Sequence, residues 1–478
     1  MLRARRLSQP ADLSRLSRRA VLRGGAAALS AGLAGIALPR PVRAEGGVLT
    51  LTAEPFQHGL YPESGALSDL WGFNGQVPGP EIRVGRGERV RVRLINRLEE
   101  PTSIHWHGVR IANGMDGVAG LTQEPVPPGG TFDYDFEVPD AGTYWYHAHA
   151  ESWNQVGRGL YGPLIIEGDT PEFDRDHDLV LIADDWRLDQ DGRFDAESLG
   201  SLRDWSHAGR LGNWLTVNGI SNPEFDLVAG EAYRLRLTNA SNARILEIDP
   251  RRIGGTLVAL DGQPLAHSED FDADVLSLGP GQRIDVVVVP KPGRDLSLTE
   301  ISTGRPFEFA RFKVTGSGPA DRPAIPVLRP NALTAPNLAE ARTVVLDMTG
   351  GAMGGMGEIR YRGELLDRDA VMRTGQVWAF NGVANRSETP LFSAPRGETI
   401  ILEIRNQTAW PHAMHTHGHH FQVLTSDDSL GPWRDTVLIG PRDTIRITLA
   451  ADNPGKWLFH CHMLEHAAAG MNTWFEVT

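Results

Sequence analysis

The sequence predicts an all-β protein of three homologous Greek-key β-sandwich domains, and three observations carry that reading. The chain has 53 Gly and 32 Pro among 478 residues, a composition that favours turn-rich β structure over long helices. At ~100–200 residues per domain it is too long for one ordinary domain. One phrase also occurs three times: FNGQVPGPEIRVGRGERVRVRLINR (73–97), VNGISNPEFDLVAGEAYRLRLTNAS (217–241) and FNGVANRSETPLFSAPRGETIILEIRNQT (380–408). Each copy has Asn-Gly, a Pro-containing connection, Gly-Glu, and then alternating apolar residues such as Val90, Val92 and Leu94 or Tyr233, Leu235 and Leu237. Alternation with period two, bounded by glycine, is the pattern of a half-buried strand.

A second phrase also recurs, as PPGGTFDYDFEV (127–138), GPGQRIDVVVVP (279–290) and GPRDTIRITLA (440–450). Its first and third copies run into DAGTYWYHAH (140–149) and DNPGKWLFHCH (452–462). Repeats at this spacing place domains at 45–168, 169–335 and 336–478, the last boundary in a Pro-rich stretch.

Ahead of these, residues 1–44 read as an export leader. SRRAVL (17–22) precedes a small-residue apolar run (24–38) and VRA (42–44), the order of a basic region, a weakly hydrophobic core and a cleavage site. The paired Arg18 and Arg19 resemble a twin-arginine signal, which implies the twin-arginine export machinery as a partner and a periplasmic or otherwise exported product. Nine Arg against one Asp fall before Glu45, so the chain from Glu45 onward carries −21 where the whole carries −13. Such an acidic surface disfavours nucleic acid and anionic membranes. No later apolar run is long enough to span a bilayer, and a soluble monomer is expected.

A single cysteine, Cys461, permits no internal disulfide, although an oxidising compartment would favour one. An unprotected thiol there risks oxidation unless it is buried or ligated. Its neighbours point to ligation. Of 16 His, eight form four HxH pairs: His105/His107, His147/His149, His415/His417 and His460/His462. Residues i and i+2 of a strand share a face, so each pair can present two imidazoles to one site. Cys461 sits inside the last pair, and in an extended segment its sulfur faces the other way. His412, His466 and Met471 remain to join it, as a His₂Cys set with a weak axial Met, the ligand set of a blue-copper centre. Zinc competes for histidine sites, but a Cys–His–Met set beside eight paired histidines is not zinc chemistry. At the point matching HWHG (105–108) the middle domain has ARILEID (243–249) and no histidine, so it reads as a spacer between the outer two.

With these residues in view, the chain from Glu45 to Thr478 resembles the three-domain bacterial multicopper oxidases, laccase-like members in particular. HWHG, HAH (147–149), HAMHTHGH (412–419) and HCHMLEHAAAGM (460–471) match that family's four copper motifs in order and spacing. The resemblance implies cupredoxin-like domains and four copper ions. Type 1 copper would be held by His412, Cys461 and His466 with Met471 axial, and type 2 by His105 and His415. The type 3 pair would be held by His107, His147 and His462 on one ion and by His149, His417 and His460 on the other. The implied reaction couples one-electron oxidation of phenolic or aromatic amine donors to four-electron reduction of dioxygen, with Cys461, His460 and His462 carrying electrons. Asp116, in NGMDG (113–117), takes the place of an acid near the type 2 copper and is expected to relay protons; the alternative is a turn aspartate before Gly117. His419 and His420 read as supporting residues.

Two departures stand out. Many relatives carry a carboxylate directly after the residue matching His466, where this chain has Ala467, with Glu465 on the other side. Methionines near a cuprous-ion loading site reduce to Met348, Met353 and Met356 in a Gly-rich segment. A metallo-oxidase acting on Cu⁺, Mn²⁺ or Fe²⁺ would share every ligand and is the alternative. A non-catalytic cupredoxin scaffold would lack the ligands, and a copper nitrite reductase needs no type 3 pair.

Overall fold

Alternating apolar residues become strands that pair in the same order three times. The structure, a computed structural model, describes residues 47–169, 171–271, 274–317, 325–354 and 357–478; the leader read at 1–44 and Met356 lie outside them. In the first repeat, one sheet runs in the order Ser68–Phe73, Leu49–His58, Arg89–Asn96, Thr131–Glu137, and faces a second of Ile82–Gly85, Tyr161–Glu167, Gly142–Ala148, Ile104–His107. The third repeat threads equivalent strands as Trp378–Phe380, Arg342–Gly350, Thr399–Asn406, Thr444–Ala450 against Ser393–Ala394, Asn472–Val477, Gly455–Cys461, His412–Thr416, with added edge strands. The middle repeat has six- and five-stranded sheets between Asp178 and Thr315. We propose the domain boundaries at 168/169 and 335/336 because both fall between these sheet pairs. Among the described residues no helix is long and apolar enough to cross a membrane.

In Arg89–Asn96 the residues Val90, Val92 and Leu94 point inward while Arg89, Arg91 and Arg93 face solvent, the one-sided burial that period-two alternation dictates. Their core is not confined to the first sandwich. Leu94, Trp106 and Tyr146 belong to one continuous apolar cluster with Trp378, Trp457, Cys461 and Met471 of the third, whereas the middle sandwich closes a core of its own around Leu235, Ile248 and Phe312.

The middle sandwich meets the first through buried charge. Arg236 Nε donates to Asp178 at 2.6 Å and its Nη1 to Thr143 Oγ1 at 2.9 Å, while Asp285 accepts from both Thr143 and Arg234. A lone ion buried here would cost several kcal/mol, so the network holds because its charges are paired, with Arg236–Thr143, Thr143–Asp285 and Arg83–Asp178 crossing the junction.

The candidate copper centres

The histidine pairs lie where two strand pairs abut. His105 is register partner to His147 across Ile104–His107 and Gly142–Ala148, and His415 to His460 across His412–Thr416 and Gly455–Cys461. The two strand pairs, one from each outer sandwich, bring their rings into contact. His105 stacks on His417 and His107 on His415, each at 3.8 Å between centroids. Ligand atoms then fall into groups within 4.8 Å: His105, His107 and His415; His107, His147 and His462; His149, His417 and His460.

Each imidazole has two nitrogens, and the surrounding chain occupies the outer one. His105 Nδ1 donates to the Asp116 carbonyl (2.9 Å), His415 Nδ1 to the Asp435 carbonyl (2.9 Å), His147 Nδ1 to the Ala148 carbonyl (3.1 Å) and His460 Nδ1 to the Cys461 carbonyl (2.9 Å). His417 Nδ1 donates to the Asp116 carboxylate (3.0 Å) and His107 reverses the pattern, giving Nε2–H to Asp435 (3.2 Å). The inward nitrogens of His105, His107, His147 and His415, and both of His462, are buried without a partner. His417 and His460 turn their Nε2 atoms on each other at 3.2 Å. Unpartnered buried polar atoms are costly, and those of five histidines meeting at one interface form a cradle for cations.

Cys461 faces the opposite way from its neighbours, as strand alternation requires. Its Sγ lies 3.6 Å from His412 Nδ1 and 3.8 Å from His466 Nδ1, and those two nitrogens stand 3.1 Å apart. Here too the outer nitrogens are occupied: His412 Nε2 pairs with Thr408 Oγ1 (2.9 Å) and His466 Nε2 donates to the His207 carbonyl (2.7 Å). Met471 is buried in the same core, and its carbonyl accepts from Cys461 N–H at 3.0 Å.

Electrostatics suit a soft cation. Burial lowers His107, His147, His149, His412, His417, His460 and His462 well below the ordinary imidazole range, and neighbouring imidazoles push them further. His466 is lowered by burial to about 4. All are therefore neutral, with lone pairs free. Burial pushes the Cys461 thiol up to about 12, so only a nearby cation can hold it as the thiolate that binds metal.

Models of the multicopper oxidase family match residues 57–171, 177–295 and 363–478. The "Multicopper oxidase MmcO" of Mycobacterium tuberculosis is 30% identical over 94% of this chain and 90% of its own length. The chain belongs to the multicopper oxidases. A crystal structure of a multicopper oxidase from Pseudomonas thermotolerans is 35% identical, with a TM-score of 0.76 covering 90% of this chain and 99% of that one. "Laccase-1" of Botryotinia fuckeliana is 27% identical over 84% of this chain and 77% of its own. Membership implies an oxygen-reducing enzyme with four coppers, one of type 1, one of type 2 and two of type 3. The bare nitrogens, the neutral imidazoles and the lone buried thiol fit that complement.

The sequence did not single out several residues that build this multicopper oxidase's site. Asp435 is fully buried, accepts from His107 and is paired through both oxygens with Arg283 at 2.8 and 2.6 Å. Burial alone would raise its carboxyl, but Arg283 and His107 hold it well below the usual range. Arg283 comes from the middle sandwich. Read from the sequence as a spacer that holds the outer two in position, that sandwich also reaches the partners of the ligands themselves. It supplies no residue to the metal-binding groups found among the described residues, yet Arg283, the His207 carbonyl and Gly281 all press on ligands. A Cβ on Gly281, whose φ is +83°, would meet His462 at 2.9 Å. The one available signal was the middle copy of the recurring phrase, GPGQRID, which contains both Gly281 and Arg283.

Asp116 is buried, with its carboxylate against His417 Nδ1 and 3.2 Å from His105 Nδ1. Gly117 (φ +84°) makes this possible: a Cβ there would lie 1.8 Å from the Ile104 carbonyl. Glu465 turns away from the histidine cluster, accepting from Asn242 Nδ2 at 2.7 Å, and burial pushes its carboxyl up to about 7. Ala467 lines a cavity of about 230 Å³ that reaches His149 and His460. His419 Nδ1 bonds the His417 carbonyl, and His420 Nε2 pairs with Gln263.

Asp435→Ala is expected to lower the affinity of the histidine cluster for copper by about 10- to 100-fold, the range for loss of a carboxylate that orients ligands. Type 1 absorption should persist. Copper stoichiometry after dialysis against a graded chelator series checks it.

Proposed function

We propose that this multicopper oxidase is laccase-like, withdrawing one electron at a time from phenols or aromatic amines while dioxygen is reduced to water. In this reading His412, Cys461 and His466, together with Met471, would hold type 1 copper. His105 and His415 hold type 2; His107, His147 and His462 hold one type 3 ion, and His149, His417 and His460 the other. The observation that carries it is the agreement of these sets with the groups whose bare ligand atoms converge. Bound copper supplies one-electron redox centres on one side of Cys461 and a multi-electron site for dioxygen on the other.

The chain's own residues do the rest. Cys461 is joined by a single peptide bond to His460 and to His462, so a covalent path links the two groups. Carbonyls and carboxylates on the outer nitrogens fix each imidazole's tautomer and aim. Asp116 holds His105 and His417 and is the carboxylate placed to hand a proton toward the cluster, work that Ala467 cannot share.

For the donor, the support is the surface over the type 1 group, where His207 and Trp410 present half-buried rings 5.4 Å apart. The methionines offer little to a cuprous ion: Met348 is buried in the core, and Met353 is 75% exposed on a turn. The identity to a protein named a laccase agrees with this. A metallo-oxidase acting on Cu⁺, Mn²⁺ or Fe²⁺ is the second reading. We further propose that the leader at 1–44 directs twin-arginine export to the periplasm.

Three outcomes test the proposal. Dimethoxyphenol should be oxidised, with matching oxygen uptake, without added copper; dependence on excess copper, lost in Met353→Ala, favours the metallo-oxidase. Cys461→Ser should lose the intense blue absorption and all phenol turnover while retaining cluster copper, and blue colour surviving in that variant sinks the type 1 assignment. Asp116→Asn should keep the blue colour yet slow reoxidation of the reduced enzyme at least about tenfold, as for loss of a positioned proton donor; rapid mixing with oxygen reads this directly.

A further inference from the structure

Three consecutive carbonyls of the middle sandwich are gripped by the third. Trp205 O accepts from Trp378 Nε1 at 2.6 Å, Ser206 O from Ala352 N–H at 2.7 Å, and His207 O from His466 Nε2 at 2.7 Å. They lie at the end of the short helix Leu202–Ser206, where carbonyls have no partner within the helix and are free to accept from elsewhere. Trp378 in turn stands against both type 1 imidazoles, its ring 5.2 Å from His412 and 4.6 Å from His466. The result is a strap latched across the type 1 group.

Under this strap His412, Cys461, His466 and Met471 are each 0% exposed, so a donor in solvent touches none of them. Two hydrogen-bonded routes lead outward. From His466 a single hydrogen bond reaches the peptide of His207, whose ring is half-buried. From His412 the route passes through Thr408 Oγ1 to the Trp410 carbonyl at 3.0 Å, one bond longer. Both end on the same shelf, where the rings of His207 and Trp410 meet. Trp410 is fixed there by its Nε1–H, which donates to the Ala352 carbonyl at 2.8 Å.

We infer that the strap is an electron port: an aromatic donor docks on the His207–Trp410 shelf, and its electron reaches His466 through the His207 carbonyl without the donor touching a type 1 ligand. The inference rests on the laccase-like reading above. Each phenol loses one electron and its phenolic proton and leaves as a phenoxyl radical; four such events supply the four electrons and four protons that convert one dioxygen to two waters. Flat rings at the shelf favour planar aromatic donors, which stack, over compact inorganic ones, which do not. Specificity for the donor then rests in part on the middle sandwich, which supplies His207 to the shelf and lacks copper ligands.

The test uses copper-loaded holoenzyme and the double variant His207→Ala with Trp410→Leu. Three quantities are measured: kcat and KM for dimethoxyphenol, kcat/KM for hexacyanoferrate(II), and binding of a nitrophenol too electron-poor to be oxidised, followed by saturation-transfer NMR on the resting enzyme. Loss of two stacking partners should raise the phenol KM about tenfold and abolish the nitrophenol signal, with type 1 absorption retained and kcat/KM for hexacyanoferrate(II) lowered less than that for the phenol. Unchanged phenol KM and unchanged nitrophenol binding overturn the port. If the double variant loses its type 1 absorption, His207→Gln and Trp410→Phe singly are put through the same measurements and judged by the same outcomes. A wild-type enzyme that oxidises hexacyanoferrate(II) but no phenol overturns the donor reading, and nitrophenol binding in wild type and variant then decides the port alone.

Discussion

Most imidazoles in the two copper centres give one nitrogen to the protein and turn the other to a shared space, and the structure is arranged around that constraint. A bare buried nitrogen costs free energy, on the order of 1–3 kcal/mol each, and such atoms converge here from both outer sandwiches. The apoprotein can bear that cost because the outer nitrogens are tied to backbone carbonyls, which need no special side chain. His105, His415, His147 and His460 all use this device. Carboxylates stand where two candidate ligands share one anchor: Asp116 beside His105 and His417, Asp435 beside His107 and His415.

The same constraint decides what the sequence could disclose. An HxH pair on a strand declares its own geometry, because period two fixes both side chains on one face, and Cys461 inside such a pair is sent to the other face with no further information. The repeated Asn-Gly and Gly-Glu phrases disclose the sandwiches for similar local reasons. Anchors leave no such trace. The His207 carbonyl is present in any residue, and Asp435 and Arg283 are separated by 152 positions and by a change of sandwich. Their pairing is a product of long-range packing, which single-sequence periodicity does not encode. Glu465 is a case the sequence leaves open: its position beside His466 does not say where its carboxylate goes, and the fold gives it to Asn242.

The middle sandwich thus sits between two kinds of work. On one side its buried arginines lock it to the first sandwich through Asp178, Asp285 and Thr143; on the other its Arg283 and its latched strap press on both metal groups. A rigid connection matters because imidazole aim tolerates little error, and a displacement of this sandwich would be felt by His107 through Asp435 and by His466 through the His207 carbonyl at once. The spacer is better described as a clamp.

The core that runs unbroken from the first sandwich into the third has a consequence for how the chain is made. Its two halves are far apart in sequence: His149 leaves the ribosome 311 residues before His460. At roughly 5–20 residues per second, that interval is on the order of tens of seconds to a minute. For most of it the first sandwich lacks the partner rings of His415 and His417, and its four histidines stand at an unfinished face. Neither metal group is complete until the segment from His460 to His466 has been made, because that segment supplies ligand atoms to both. The full set of ligands in both groups therefore waits on one short segment, joined 311 residues after His149.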